Sequence, residues 1–229
     1  MREIVATQDL NPKKDNWFRV EWNIGKRCNF DCSYCGSSIH DNFSPHMPYE
    51  KIIESIDTIR SSTDKQIKIG WTGGEPFVHP KFLDILRYAK DNANVFRQTV
   101  VTNGTVPFKT YQKALPYLDQ VTFSYHFEHT IHDKIVNNIE NVFAYYKSIN
   151  KEDEVKVHMM MLPGEFQKAE EIIKYLRSQA IEVIARRIRP QSNIDGDLVK
   201  PWESGMTATG LWNGDYYSSN EVKWLESGT

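Results

Sequence analysis

The sequence contains little cysteine, no long apolar run and almost no net charge. Only three of its 229 residues are cysteines, and they fall close together at Cys28, Cys32 and Cys35. An odd, clustered set of thiols does not resemble the disulfide framework of a small secreted protein. The apolar runs are of strand length, too short for a membrane span, and the first ten residues lack an apolar signal region. We therefore expect a cytoplasmic protein that does not enter the membrane.

The chain also lacks an excess of positive or negative charge. The chain has 28 Lys and Arg against 30 Asp and Glu, a net charge of −2, with a pI near 6.4 and a mean hydropathy of −0.56. A strong positive field is what proteins use for broad nucleic-acid binding or for attachment to anionic membranes. We expect neither of these partners.

Strand-like and helix-like hydrophobic patterns alternate along the chain. Helical spacing is clearest in the stripe Tyr49, Ile52, Ile53, Ile56 and Ile59, and similar stripes begin near residues 82, 135 and 166. A shorter helix is expected from about Phe108 to Tyr117. Pro80 suits the first position of a helix. The strand candidates are Trp17–Ile24, Gln66–Trp71, Val95–Val101, Gln120–His126, Val155–Leu162 and Ile181–Ile188.

Six strand–helix units predict an α/β fold, a partial (β/α)6 barrel with a parallel sheet and its helices outside. We expect residues 17–190 to form this core, 1–16 an N-terminal segment, and 191–229 a C-terminal extension packed on the barrel. Active sites of such folds lie at the carboxyl ends of the strands. The chemically distinctive residues follow the strands in turn, at Cys28–Cys35, Gly73–Pro76, Asn103–Gly104, Ser124–His126, Pro163–Gly164 and Arg189–Pro190.

The three cysteines have the spacing C-x3-C-x2-C. Three thiolates on one short loop can hold a cubane iron–sulfur cluster, because soft thiolate ligands suit iron–sulfur chemistry. Such a site leaves one iron of the four open to a small molecule. The alternative is a structural zinc ion with His40 or His46 as its fourth ligand, although zinc sites usually use two spaced pairs of ligands.

A second motif, W-T-G-G-E-P at Trp71–Pro76, follows the second predicted strand. Paired glycines allow a backbone edge to approach a ligand closely and to offer unobstructed N–H and C=O groups. Alone, this motif could be an ordinary turn. Together with the cysteine motif, it closely resembles the radical S-adenosylmethionine (SAM) enzyme family, and the resemblance extends from about Trp17 to Pro190.

The resemblance implies a 4Fe–4S cluster on the three cysteines and SAM as the second cofactor. Gly73, Gly74 and Glu75 match the family segment that binds the methionine amine, and Tyr34 matches the aromatic residue near the adenine. An external electron donor of flavodoxin or ferredoxin type would reduce the cluster. Cleavage of SAM would then give a 5′-deoxyadenosyl radical that abstracts hydrogen from the substrate.

Three later strand ends resemble further SAM-binding segments of the family. Asn103, in the T-N-G stretch, is expected to face SAM or substrate. Ser124 matches a serine that contacts SAM, and the backbone at Met161 and Leu162 would flank the adenine. Arg187 and Arg189 alternate onto one strand face, where they could bind an anionic group or lie in solvent.

The maturase and peptide-modifying branch of the family is the most similar, since Ser124 and His132-Asp133 keep its spacing. This sequence departs from the branch pattern at two positions: His126 replaces an aspartate, and Val136 stands where an arginine is expected, with Lys134 the nearest basic residue. His126 is a candidate active-site base or substrate hydrogen-bonding residue. It could equally be a partly buried structural histidine.

No cysteine remains for an auxiliary cluster, so we expect a single-cluster enzyme acting on a peptide or a small molecule. One alternative is a 7-carboxy-7-deazaguanine synthase, in which Ser37 would supply a magnesium-binding hydroxyl. Another is a glycyl-radical-enzyme activase, whose partner would be a protein. The non-enzyme alternative is a metal-stabilised binding module.

Overall fold

A computed structural model describes residues 17–36, 40–92, 94–129, 131–161 and 166–187 of the 229-residue chain. The predicted N-terminal segment 1–16 and C-terminal extension 191–229 lie outside the described residues. So do Ser37, Leu162 and Arg189. The side chains of Met161 and Arg187, at the ends of their strands, are also outside this range.

Six strands and five helices alternate along the described chain. The strands are β1 (Trp17–Asn23), β2 (Gln66–Thr72), β3 (Val95–Thr102), β4 (Gln120–His126), β5 (Val155–Met161) and β6 (Glu182–Arg187). The helices are α1 (Tyr49–Ser61), α2 (Phe82–Asn92), α3 (Phe108–Ala114), α4 (His132–Ser148) and α5 (Phe166–Ser178). Every predicted strand is present, with ends that differ from the prediction by no more than one residue.

Two helix boundaries differ from the sequence prediction. Helix α2 begins at Phe82, so Pro80 precedes the helix and is not its first residue. Helix α3 ends at Ala114 and continues only as a single 3₁₀ turn, Leu115–Tyr117. Pro116 explains this end, because its ring nitrogen has no hydrogen to donate to the preceding turn.

The sheet is parallel throughout, and its strands stand in chain order from β1 to β6. Each strand therefore returns to its neighbour through a crossover, and the helices supply these connections. This arrangement confirms the predicted α/β fold. It also places the carboxyl ends of all six strands along one rim, together with the described residues that follow β1, β2, β3 and β4.

One face of the sheet packs on the helices. Trp71, which is fully buried, donates a 3.0 Å hydrogen bond from its indole nitrogen to Gln98 Oε1. Gln98 in turn donates from Nε2 to the carbonyl oxygens of Leu86 and Tyr117. A buried amide is stable only when its donors and acceptors are paired, and here it joins β2 and β3 to α2. The loops that follow β2 and β3 thus extend from strands that are fixed by buried hydrogen bonds.

Candidate active site

The cysteine loop directly follows β1 and is fixed by its own backbone. The Cys28 N–H donates a 2.7 Å hydrogen bond to the Asp41 carbonyl, and the Cys35 N–H donates to the Cys32 carbonyl at 2.9 Å. The Phe30 N–H points at Cys28 Sγ, 3.4 Å away. These hydrogen bonds fix the backbone of the loop around its three sulfur atoms. All three cysteines are free, without a disulfide bond.

The electrostatics of the three thiols fit a metal cluster. Burial, with smaller contributions from the charges of Glu128, Cys35 and Cys28, raises the pKa of Cys32 to about 12. Burial also raises the pKa of Cys35 to about 11, with Cys28 adding to the effect. The thiols are thus close enough to repel one another as thiolates. Iron offsets this cost, so the donor set suits a cluster ligated by Cys28, Cys32 and Cys35.

The two glycines of the G-G-E-P motif allow that segment to lie against the base of the cysteine loop. The Gly74 N–H donates to the Gly25 carbonyl at 2.8 Å, and the Glu75 N–H donates to the Arg27 carbonyl at 2.9 Å. A Cβ on Gly74 would lie 2.3 Å from the Arg27 carbonyl oxygen, and one on Gly73 2.6 Å from that of Gly25. The N–H groups of Gly74 and Glu75 therefore already donate hydrogen bonds within the protein. The backbone groups that this segment can offer to a ligand are its carbonyl oxygens.

Glu75 is buried, with its carboxylate directed into the protein. Its Oε1 accepts hydrogen bonds from the Thr102 hydroxyl at 2.8 Å and the Phe77 N–H at 3.1 Å, and its Oε2 accepts from the Asn103 N–H at 2.7 Å. Burial raises the pKa of Glu75 to about 7, although these hydrogen bonds act in the opposite direction. Its side chain thus links the loops that follow β2 and β3.

Asn103 reaches back to the cysteine loop. Its Nδ2 donates a 2.9 Å hydrogen bond to Asn29 Oδ1 and lies 3.8 Å from Cys28 Sγ. Its Oδ1 accepts from the Thr105 hydroxyl at 2.6 Å, and that hydroxyl also accepts from Asn29 Nδ2 at 2.7 Å. The structure therefore brings Asn103 to the cysteines, and its role toward SAM stays a prediction.

Tyr34 and His126 meet between the cysteine loop and the end of β4. The Tyr34 hydroxyl hydrogen-bonds to Nδ1 of His126, and the two rings stack with centroids 5.8 Å apart. The Phe30 ring packs edge-on against His126 at 6.0 Å. Burial, with a smaller contribution from His129, lowers the pKa of His126 to about 4. His126 is therefore neutral at pH 7 and positioned by aromatic neighbours.

Two other predicted cofactor contacts, Ser124 and Met161, lie on strands of the same sheet. Ser124, on β4, is half-buried and aligned in register with His158 on β5. Met161 is the last residue of β5 and pairs in register with Arg187. The roles of Ser124, Met161 and Leu162 in binding SAM stay predictions.

The sequence analysis missed the histidine nearest the cysteines. His129 Nε2 lies 3.5 Å from Cys32 Sγ, and Glu128 approaches the same loop. The histidines considered as zinc ligands have other contacts: His40 lies 3.3 Å from Asp31, and His46 packs against His79. His129 follows β4 on the same rim as the cysteines. This position after a predicted strand was the sequence signal that could have identified it.

Residues 22–176, more than half of the chain, match the family model described as the Radical SAM superfamily. The chain belongs to the radical SAM superfamily. It is accordingly an enzyme, and the cofactors of this family are a 4Fe–4S cluster and SAM. Within the described ranges, no helix has the length and apolarity needed to cross a membrane.

Curated relatives of this radical SAM protein share only part of its sequence. A GTP 3′,8-cyclase from Cronobacter sakazakii is 34% identical over 105 residues, which is 44% of this chain and 31% of the relative. An S-adenosylmethionine-dependent nucleotide dehydratase from Selenomonas ruminantium is 30% identical over 90 residues, 39% of this chain and 31% of the relative. The chain thus matches about a third of the length of these relatives.

Solved structures show the same fold at low identity. The structure of anSMEcpe with bound AdoMet matches with a TM-score of 0.57 and 16% identity, covering 75% of this chain and 51% of that one. Streptococcus suis SuiB bound to precursor peptide SuiA matches with a TM-score of 0.55 and 11% identity, covering 75% and 39%. These matches agree with the predicted partial barrel and concern the fold alone.

Proposed function

We propose that this protein cleaves SAM reductively at a single 4Fe–4S cluster, and that the resulting 5′-deoxyadenosyl radical abstracts hydrogen from a peptide or small-molecule substrate. Cys28, Cys32 and Cys35 hold the cluster. The observation that supports the proposal is the direct backbone contact between the cysteine loop and the G-G-E-P segment, because the segment proposed to bind SAM then lies beside the proposed cluster ligands. A low-potential flavodoxin or ferredoxin would supply the electron, in the reducing cytoplasm where thiols persist.

The remaining predicted residues are assigned to SAM and to the substrate. The carbonyl oxygens of Gly73 and Gly74 bind the methionine amine, because their neighbouring N–H groups are already used. The Tyr34 ring contacts the adenine. His126 faces the substrate as a neutral hydrogen-bonding group, since its low pKa keeps it uncharged at pH 7.

Formation of 5′-deoxyadenosine tests the proposal. The protein is reconstituted with iron and sulfide without oxygen, then given SAM and a strong reductant. We expect 5′-deoxyadenosine from the parent and none from Cys32→Ala. A parent protein with a full iron content that forms no nucleoside contradicts the proposal. Zinc in place of iron would instead favour the metal-stabilised binding module.

The substrate is tested in the same assay by screening peptides and nucleotides for conversion. Incorporation of hydrogen from the substrate into 5′-deoxyadenosine, followed with deuterated candidates, identifies the compound that the radical attacks. Conversion of a deazapurine precursor, or activation of a glycyl-radical partner protein, would support the corresponding alternative.

A further inference from the structure

The segment after β4 closes over the cysteine loop. The Ser33 N–H, between the second and third cysteines, donates a 2.7 Å hydrogen bond to Glu128 Oε2. The Ser33 hydroxyl donates to the other oxygen of the same carboxylate. Both carboxylate oxygens of Glu128 are thereby engaged, and they fix the loop next to Cys32.

His129, the next residue, lies flat on Phe30 of the cysteine loop. The two ring centroids are 3.6 Å apart and the ring planes differ by 11°. This stack directs Nε2 of His129 toward Cys32 Sγ, at 3.5 Å, which is a hydrogen-bonding distance for sulfur. The imidazole therefore has a fixed orientation toward one sulfur of the proposed cluster site.

We propose that His129 donates a hydrogen bond from Nε2 to the Cys32 sulfur and thereby raises the reduction potential of the cluster. The inference rests on the proposed function. A hydrogen bond to a ligand sulfur stabilises the more negatively charged, reduced cluster, so it makes the cluster easier to reduce. His129 is a positioning residue in this role, because it acts through Cys32.

The same atoms could instead ligate a metal ion directly. Ligand atoms of Cys32, Glu128 and His129 all lie within 4.8 Å of one another. The hydrogen bond is favoured because Glu128 already accepts two hydrogen bonds from Ser33, and because the three cysteines provide a complete set of soft ligands on one loop. Direct ligation by His129 is therefore the arrangement that the test must exclude.

Two substitutions separate the hydrogen bond from the packing. His129→Phe keeps an aromatic ring on Phe30 and removes the donor, whereas His129→Gln keeps an N–H donor. The readout is the midpoint potential of the reconstituted cluster, followed by electron paramagnetic resonance without SAM. For His129→Phe we expect a midpoint potential that is lower by about 59 mV. This shift corresponds to an about tenfold smaller ratio of reduced to oxidised cluster at a fixed ambient potential. His129→Gln should remain closer to the parent.

An unchanged midpoint potential in His129→Phe, with full iron content, overturns the inference while leaving the proposed function intact. A parent protein that forms no 4Fe–4S cluster overturns both. Pulsed electron paramagnetic resonance on parent protein labelled with ¹⁵N-histidine gives an answer that needs no folded variant. A weak nitrogen coupling to the reduced cluster supports the hydrogen bond, and either a strong coupling from a ligated nitrogen or no coupling overturns it.

Discussion

The Glu75 carboxylate accepts a 2.7 Å hydrogen bond from the backbone N–H of Asn103, and this contact joins the loops after β2 and β3. The Glu75 N–H donates to the Arg27 carbonyl, next to Cys28, while the Asn103 side chain approaches Cys28 itself. These contacts connect the cysteine loop to the ends of β2 and β3, and connect those two strand ends to each other. The loop proposed to ligate the cluster and the segment proposed to bind SAM are therefore held together by direct hydrogen bonds.

The first prediction concerns the pH dependence contributed by Glu75. Its pKa in the folded protein is raised by burial to about 7, above the value near 4.5 for an exposed glutamate. The folded state therefore holds more protons than the unfolded state between these values, and stability falls as pH rises from about 4.5 to 7. The shift corresponds to a loss of about 3 kcal/mol from the free energy of unfolding.

Denaturant unfolding of the reduced apoprotein between pH 4.5 and 8 measures this effect. The comparison is with Glu75→Gln, which lacks the titrating group while keeping the side-chain size. The difference in unfolding free energy between parent and variant should change steadily up to about pH 7 and then become constant. A difference that does not depend on pH would show that Glu75 titrates as an ordinary exposed carboxyl group.

The second prediction is that Gly74→Ala disrupts the cluster site. The added methyl group would lie 2.2 Å from the Lys26 carbonyl oxygen and 2.3 Å from that of Arg27. Backbone atoms cannot move aside cheaply, so the G-G-E-P segment must separate from the cysteine loop, at a cost of about 1–3 kcal/mol. We expect a lower melting temperature and less iron per chain after reconstitution.

Gly70→Ala is the matched control for Gly74→Ala. Its added methyl group would also be too close to a neighbour, 2.4 Å from Glu21 Oε2, but that atom is the end of a side chain that can rotate away. Gly70 lies on β2, four residues before Gly74. Iron content near that of the parent is expected for Gly70→Ala, and equal losses in both variants would refute the argument from backbone contact.

Most of the fold was accessible from hydrophobic periodicity. Stripes such as Ile52, Ile56 and Ile59 repeat at helical spacing, and all three residues are buried in the structure. The strand ends were also predictable, because each strand leads into turn residues. The end of α3 was not, since the apolar pattern continues to Tyr117 while the α-helix ends before Pro116.

The motifs predicted which loops form the site, but not how their side chains are used. Glycine spacing indicated a close backbone approach, and the structure shows that the approached group is the cysteine loop itself. Asn103 carries a short turn signal, which contains no information about its bond to Asn29, 74 positions away. His129 was missed for the same reason, because its contact with Cys32 depends on folding across 97 positions.

The third prediction concerns Asn138, which fixes the loop after β3 from below. Its buried Nδ2 donates to the carbonyl oxygens of Gly104 at 2.7 Å and Val106 at 2.9 Å. Asn138→Ala leaves both carbonyls without these partners, and we expect a loss of about 2 kcal/mol in the free energy of unfolding. Asn141→Ala, on the same helix, removes only a bond to the Asn137 carbonyl and should cost about 0.5 kcal/mol or less.

Thermal and denaturant unfolding of the two apoproteins measure this difference. Because Asn138 does not contact the cysteines, its substitution should lower stability without preventing cluster assembly at low temperature. Equal stability of Asn138→Ala and Asn141→Ala would mean that the loop after β3 does not depend on this side chain.

The fourth prediction separates the ring of Tyr34 from its hydroxyl. If the ring contacts the adenine of SAM, Tyr34→Ala removes a stacking interaction worth about 1–3 kcal/mol, and SAM should bind about tenfold more weakly or worse. Tyr34→Phe keeps the ring and loses the hydrogen bonds of the hydroxyl, which reaches His126 and Cys32, so its dissociation constant should rise by about fivefold. Equilibrium dialysis of SAM with anaerobically reconstituted protein, at matched iron content, measures both values. If Tyr34→Ala binds SAM as the parent does, the adenine lies elsewhere. If Tyr34→Phe is impaired as much as Tyr34→Ala, the hydrogen bonds of the Tyr34 hydroxyl, and not the ring face, govern binding.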